Sequence, residues 1–414
     1  MEAAKKSISA YNPRVAWLAL LGGVAIYFVN SAAQYKIPPI MLELNQALGL
    51  TLSESGWLMS IMSLFGLILA LPAGGIIMKI GVKWTTVIAA GFQLVGSLIG
   101  TFAGGFELML VSRALEGVAL GLCNVVSFAV VTSFFPSEKR GVPNSCVTAL
   151  FTVSVFMMMN VAVPLDNSFG WQGIWWFVNI LSVLAVLAAL FLIPGKDKEI
   201  DFDEDVEQPG VKEKVDYRKL LRTPAIWILP LVFIGFNIGY YGISTYMPTY
   251  LVEVVGADQA TANFAVSWNS LVGLPAALII GVILNKVKIP NRKYVTAITM
   301  FVLAVCYFVA FSMPTVESAA FLLIFMGFIC TFVPVSLYTI GPDAIPSAAY
   351  AAIILAIVTF GQNLGMTLGP LVVGYIVDAA GNFAASAMPL AVLAAIGGFI
   401  MLFVKVKKRN ASEA

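Results

Sequence analysis

The 414-residue chain contains no histidine, only four cysteines, and charged side chains at 11% of its positions. Without imidazole there is no histidine-based metal site and no Ser-His-Asp relay. The chain also lacks a phosphate-cradling glycine loop and paired carboxylates deep in an apolar run, so enzymatic chemistry has little to work with. Neither a cofactor, a metal nor a nucleic-acid partner is expected. Cys123, Cys146, Cys306 and Cys330 all fall within apolar stretches, which excludes an extracellular disulfide framework and marks them as packing thiols. The one long hydrophilic stretch, residues 196–222, carries seven basic and nine acidic side chains and reads as a solvated tether, with a regulatory docking site as the competing view.

What the chain does have is apolar sequence. Hydrophobic residues make up 60% of it, against roughly 45–50% in soluble domains. They fall into twelve segments, at 15–41, 55–79, 84–103, 106–134, 142–165, 173–194, 224–252, 261–285, 293–313, 318–340, 347–377 and 384–405. Each is long enough to cross a bilayer core of about 30 Å as a helix. The expected fold is therefore an all-α membrane protein, with six spans in residues 1–195, the linker 196–222, and six more in 223–414. A signal peptide cleaved after Ser31-Ala32-Ala33 is a competing reading of the N-terminus, disfavoured because apolar character continues through Ile37-Pro38-Pro39-Ile40-Met41-Leu42.

Placing both termini in the cytoplasm of a cell whose plasma membrane holds the chain puts 22 of the 24 lysines and arginines on the cytoplasmic side. Only Lys36 and Arg113 are left over. Arg113 stands in an apolar run with Glu116, and a charge at the bilayer centre costs about 2.5–3.5 kcal/mol on insertion scales, so retaining one points to use. Counting about 1.5 Å per residue from Phe106 puts Arg113 about 10 Å deep and Glu116 about 15 Å deep. Their i, i+3 spacing sets them on one helical face. Lys36, near the outer end of span 1, is set to share that level. Two cations and one carboxylate balance to +1, which suits a small anion. Against this stands a simpler reading, in which Arg113 and Glu116 form a fixed brace and Lys36 snorkels to the interface.

The two halves echo each other. Gly74, Lys79, Gly81 and Lys83 follow span 2, and Gly281, Asn285 and Lys286 follow span 8, each set placing a glycine before a polar cytoplasmic turn. Paired halves of this kind mark rocker-type carriers. Gly74, Lys79, Gly81 and Lys83 resemble the loop motif G-x-x-x-D-[RK]-x-G-x-[RK] of the major facilitator superfamily, with Met78 in place of the acid and Asn285 replacing it in the second copy. Arg113, Gly117 and Gly121 resemble the family's span-4 motif R-x-x-x-G-x-x-x-G. Phe134-Phe135-Pro136-Ser137-Glu138-Lys139-Arg140-Gly141 is similar to the loop after it, and Phe169-Gly170-Trp171 to the start of span 6.

The resemblance runs from about Val15 to Lys405. It implies two pseudo-symmetric six-helix bundles and alternating access, with spans 1, 4, 7 and 10 lining the pathway and a cytoplasmic latch weakened by the missing acid. Span 5 lacks the G-x-x-x-G-P-x-x-G pattern of drug/proton antiporters. Lys36 before Pro38-Pro39 is similar to cyanate-permease-like and nitrate/nitrite-porter-like carriers, although those place an arginine there.

The expected substrate is thus a small solute, most simply a monovalent organic or inorganic anion, carried by a monomer in the lipid bilayer. Lys36 and Arg113 would supply charge. Asn30, Gln34 and Tyr35 on span 1, Asn124 on span 4, and Asn237, Tyr240, Tyr241, Tyr246, Trp268, Asn269, Tyr338, Gln362 and Asn363 in the second half would supply walls and hydrogen bonds. Glu116, as the sole deep carboxylate, is the candidate for proton coupling together with Arg113. Anion exchange needs no proton and stays open. The runner-up is drug or lipid efflux by proton antiport, on the strength of the apolar run Phe156-Met157-Met158-Met159.

Overall fold

The computed structural model describes residues 12–136, 139–196, 221–345 and 351–406. Lys5, Lys6, Ser137, Glu138, Lys407, Lys408, Arg409 and nearly all of the 196–222 linker, with the readings placed on them, lie outside the described residues. All regular structure among the described residues is helical, and twelve spans are long and apolar enough to cross a membrane.

Helix α1 (Pro13–Gln34) starts where Asn12 Oδ1 accepts from the backbone N–H groups of Arg14 and Val15 at 3.1 and 3.4 Å, with Pro13 as first helical residue. Span 1 is not the continuous helix to residue 41 that its hydropathy indicates. It breaks after Gln34, makes a short 3₁₀ turn over Pro38–Ile40, and resumes as α2 (Met41–Leu48), closed by Gly49 at φ 67°. The cause is the Pro38-Pro39 pair: proline has no N–H to donate and disfavours helical backbone in the residue before it. Lys36 sits inside this break.

Spans 2 and 3 form one element, α3 (Leu52–Thr101), interrupted at Gly81, whose φ of 83° and ψ of 168° need a residue without Cβ. Helices α4 (Phe106–Phe134), α5 (Gly141–Phe169) and α6 (Trp171–Leu192) complete the first six spans. The rest are α7 (Ala225–Glu253), α8 (Gln259–Leu271) with α9 (Gly273–Lys286), α10 (Arg292–Ala310), α11 (Val316–Cys330) with α12 (Phe332–Asp343), α13 (Ala351–Ala380) and α14 (Ala387–Met401). Spans 8 and 10 are thus broken. Each first piece ends four residues before a proline, Leu271 before Pro275 and Cys330 before Pro334, where the missing N–H leaves the i−4 carbonyl without its helical donor.

The chain divides into two compact units, Met1–Leu50 with Ile61–Gly210, and Thr51–Ser60 with Val211–Ala414. The first turns of α3 belong to the second unit because they bond there. The Tyr246 hydroxyl donates to the Leu52 carbonyl at 2.6 Å, Ser53 N–H donates to Asp378 Oδ2 at 2.8 Å, and Trp57 Nε1 donates to the Tyr375 hydroxyl at 2.9 Å.

Lipid chains are as apolar as leucine, so spans associate through close packing at small residues. In the first unit α4 meets α3 at the two motif glycines. A Cβ on Gly117 would lie 2.5 Å from the Met62 carbonyl, and one on Gly121 would lie 2.6 Å from that of Gly66. In the second unit α13 packs on α7 through Gly361, Gly365 and Gly369, a run at i, i+4, i+8. Basic side chains cap helix ends at the loops carrying most of the positive charge. Arg140 donates to the Phe135 and Thr132 carbonyls at 3.0 Å each, Lys293 to that of Leu402 at 2.6 Å, and Lys196 to that of Met78 at 2.5 Å. Arg292 donates to the Leu284 carbonyl and to Asp343 Oδ2, both at 3.1 Å.

Gly117→Ala is expected to destabilise by about 1–3 kcal/mol, because its new methyl meets backbone that cannot withdraw. Gly74→Ala, where a Cβ meets nothing within 4 Å, is expected to be neutral or slightly stabilising. Unfolding titrations of both variants in the same detergent provide the comparison.

Candidate functional site

The break in span 1 deprives the last carbonyls of α1 of their i+4 donors, leaving Ala33 a long 3.5 Å bond from the Lys36 N–H, and α4 supplies a donor from the side. Arg113 NH1 donates to the Ala33 carbonyl at 2.8 Å and NH2 to that of Gln34 at 3.4 Å, which places a guanidinium at the negative end of the α1 dipole. NH1 also bonds Glu116 Oε2 at 2.6 Å, across the i, i+3 spacing. The other carboxylate oxygen, Oε1, accepts from Lys36 Nζ at 2.6 Å and from Gln93 Nε2 of α3 at 3.3 Å. Gln93 is fixed in turn, its Oε1 accepting from Asn30 Nδ2 at 2.6 Å, and the same Asn30 amide reaches the Glu116 carbonyl at 3.1 Å. Lys36 Nζ lies 4.3 Å from the centroid of the Trp175 ring on α6.

Lys36, Arg113 and Glu116 are all 0% exposed. They form one triad of net charge +1 in which each cation holds its own carboxylate oxygen. The shared level expected of Lys36 and Arg113 therefore takes the form of a shared partner. The two cations differ in how they are held. Arg113 spreads its fork over one carboxylate and two backbone carbonyls, whereas Lys36 has one carboxylate and one ring face. Burial without a partner would cost either cation far more than a surface charge, which is why breaking such a cluster on one side is expensive.

The remaining candidates are distributed as follows. Gln34 joins the triad through its backbone carbonyl, and Tyr35 turns its ring edge-on to Phe151 at 6.2 Å. Asn124 is exposed on α4. In the second unit Asn237 Nδ2 donates to the Gln362 carbonyl at 2.9 Å, and the Tyr338 hydroxyl donates to Gln362 Oε1 at 2.7 Å, so these three form one network. Asn363 donates within its own helix to Thr359, whose hydroxyl lies 3.0 Å from that of Tyr338. Tyr240 stacks on Phe236 at 5.8 Å and meets Tyr241 edge-on at 5.3 Å. Asn269 is buried against Gly327 of α11, whereas Trp268 stands 39% exposed. Tyr246 is fully buried and holds the Leu52 carbonyl.

Of the loop residues, Gly74, Lys79, Asn285 and Lys286 are exposed, Lys83 and Gly281 are half-buried, and Gly81 supplies the left-handed turn. The acid missing at Met78 leaves that residue 75% exposed, and the carbonyls of Met78 and Lys79 are capped by Lys196. In the second unit, the acid that bonds Arg292 comes from α12, as Asp343, and not from the loop itself. Two members of the triad's surroundings, Gln93 and Trp175, were not singled out from the sequence. A lone amide in the apolar run of span 3, followed at i+4 and i+8 by Ser97 and Thr101, was the readable signal for the first. Nothing local marked the second.

Against known proteins, a model of the Major Facilitator Superfamily matches residues 23–355. A Staphylococcus haemolyticus protein named for proline/betaine transport is 25% identical over 328 residues, which cover 76% of this chain and 68% of that protein. An Escherichia coli protein named for L-galactonate transport is 21% identical over 399 residues, covering 91% of this chain and 86% of its own. Among solved structures, a bacterial homologue of the human lysosomal transporter Spinster superposes with a TM-score of 0.73 at 16% identity, covering 94% of both chains.

The triad sets a graded expectation for stability. Glu116→Leu strands two buried cations and is expected to cost about 3–5 kcal/mol. Lys36→Met leaves a neutral Arg113–Glu116 pair and is expected to be mild. Adding Lys36→Met to Glu116→Leu should recover part of the loss, a coupling of about 0.5–3 kcal/mol, measurable as a double-mutant cycle in denaturant.

Proposed function

Because the chain belongs to the Major Facilitator Superfamily and is a multi-pass membrane transporter with twelve apolar spans, we propose that it carries a small carboxylate-bearing solute together with a proton, by alternating access. In this reading it works as a monomer in the plasma membrane with both termini cytoplasmic, in keeping with where its basic residues fall. The observation that carries the reading is the sealed triad, in which one carboxylate occupies two cations.

A substrate carboxylate is chemically equivalent to the Glu116 side chain and can replace it only if Glu116 gives up its charge. Protonating Glu116 frees Lys36, the less tethered cation, while Arg113 stays anchored to α1 by Ala33 and Gln34. The charge balance permits this coupling without requiring it, since a monoanion alone would take the site to zero; what the proton adds is a vacated cation. Empty, the site holds two cations and one anion. Loaded with a monoanion and one proton it again holds two cations and one anion, so the net +1 is unchanged and the low-dielectric interior sees no new charge. Of the solutes for which the relatives are named, L-galactonate is a monoanion that meets this balance, and proline and betaine bear a carboxylate beside a cationic nitrogen. That supports the class and leaves the member open.

In proteoliposomes, an inward proton gradient is expected to stimulate accumulation of a carboxylate solute from a panel that includes L-galactonate, proline and glycine betaine. Glu116→Gln is expected to keep exchange of internal for external solute while losing gradient stimulation. Accumulation by Glu116→Gln that still rises with the gradient removes Glu116 from coupling. A response only to neutral or cationic solutes lacking a carboxylate removes the substrate class.

A further inference from the structure

Around the triad, the first unit buries more polar atoms than its own hydrogen bonds satisfy. Asn30 Oδ1, Ser97 Oγ, Trp175 Nε1 and Asn179 Oδ1 are all buried with no hydrogen-bond partner in the protein. Their residues are 0%, 0%, 0% and 4% exposed. Inside a bilayer such atoms are costly; the second unit has its own, among them Thr249, Thr296 and Ser336, but these four lie on α1, α3 and α6 in the unit that holds the buried charges.

They are also ordered in space. Gln93, Ser97 and Thr101 follow one another at i, i+4 and i+8, so they share a face of α3 and cover about 12 Å along it. At the inner end of this strip Gln93 Nε2 contacts Glu116 Oε1 at 3.3 Å. At the other end Thr101, 5% exposed and the last residue of α3, accepts at Oγ1 from Asn179 Nδ2 of α6 at 3.0 Å. Between the ends α3 presents Gly100, against whose backbone the Trp175 indole nitrogen and Ser112 Oγ both pack directly, so the indole N–H borders the strip.

The unsatisfied set mixes one N–H donor, one hydroxyl and two carbonyl oxygens. An ion of either sign would satisfy part of it and oppose the rest; water both donates and accepts. We propose that Glu116 is loaded with its proton through the interior of the first unit, along a water-bridged path running from the Thr101 end of α3 past Asn179, Ser97 and Trp175. A hydronium at the Thr101 end loses one proton, each bridging water accepts one and passes one on, and the Glu116 carboxylate becomes a carboxylic acid. The amides of Gln93 and Asn179 orient the waters and do not themselves change protonation. The groups facing Glu116 are Lys36 from the span 1 break, Arg113 from α4 itself, uncharged Gln93 and Asn30 from α3 and α1, and the Trp175 ring from α6, which faces it through Lys36. No second acid competes for the proton in that set.

This path rests on the proton-carrying role given to Glu116 above, and the test separates the two without needing a substrate. The full chain in lipid nanodiscs is stepped in pH, and the carboxylic acid infrared band of Glu116, identified by its loss in Glu116→Gln, is followed in time. Ser97→Ala and Thr101→Val are expected to slow its rise, while Ser182→Ala, a buried α6 hydroxyl bonded to the Val178 carbonyl, is expected to leave it at the wild-type rate. The Trp175 indole proton, assigned in ¹⁵N-tryptophan-labelled protein through Trp175→Phe, is expected to exchange readily with solvent. Wild-type rates in both strip variants, or an indole proton that does not exchange, overturn the path and leave Glu116 as the carrier. Absence of any Glu116 band across the pH range overturns the carrier role and the path together.

Discussion

The Glu116 carboxylate is the constraint on which the first unit depends. Each of its oxygens holds one of the two cations left in the apolar interior. In hydrocarbon such a cluster is tolerated only when every charge is matched by geometry as well as by sign. The surrounding backbone supplies that geometry. Gly117 and Gly121 bring α4 against the span 2 part of α3, and Gly96 on the span 3 part lets α4 approach closely enough for Gln93 to reach the carboxylate. The Pro38-Pro39 break ends α1 where its last carbonyls can accept from Arg113. Motif glycines, tandem prolines and buried charges are therefore parts of one arrangement, and none of them explains its neighbours alone.

Much of this was legible in the sequence. Twelve spans follow from hydropathy because the bilayer asks one simple thing of each segment, about 20 apolar residues in a row. Lys36 and Arg113 emerge by subtraction, since placing both termini in the cytoplasm would account for every other basic residue, and Glu116 stands out as the acid in the same apolar run as Arg113. What the sequence did not show is who partners whom. The i, i+3 spacing argued for Arg113 meeting Glu116, but nothing local shows that a residue 80 positions away takes the second oxygen. Helix continuity was also misjudged at span 1, where hydropathy averages over a window and does not register that Pro38-Pro39 interrupts the hydrogen-bond ladder. The run Gly361, Gly365, Gly369 was readable in principle, as the same i, i+4 rule that drew attention to Gly117 and Gly121 applies to it.

The two units meet the polar demands of a membrane interior in different ways. In the first, formal charges are buried and compensated within a few ångströms. In the second, the network of Asn237, Tyr338 and Gln362 is neutral throughout, and the stacked rings of Phe236 and Tyr240 stand beside it. Neutral hydrogen bonds cost less to desolvate than ions and discriminate by shape and donor pattern, whereas ions provide strength and respond to protonation. Under the function proposed above, the first unit would answer to the charge of a solute and the second to its shape.

The choice of lysine and arginine at the two cationic positions is also accounted for physically. Arginine presents a planar fork of donors and stays charged in proteins, so it can cap α1 and hold Glu116 at once without moving. Lysine is a point charge on a flexible stem, able to leave one partner and find another while its ammonium keeps the face of an aromatic ring. Exchanging the two would place the rigid donor in the span 1 break, where Pro38-Pro39 already fixes the backbone, and the flexible one where two carbonyls and a carboxylate must be met together. The break requires a side chain that can adapt and the helix end requires one that cannot, so the positions are not interchangeable even though their charges are equal.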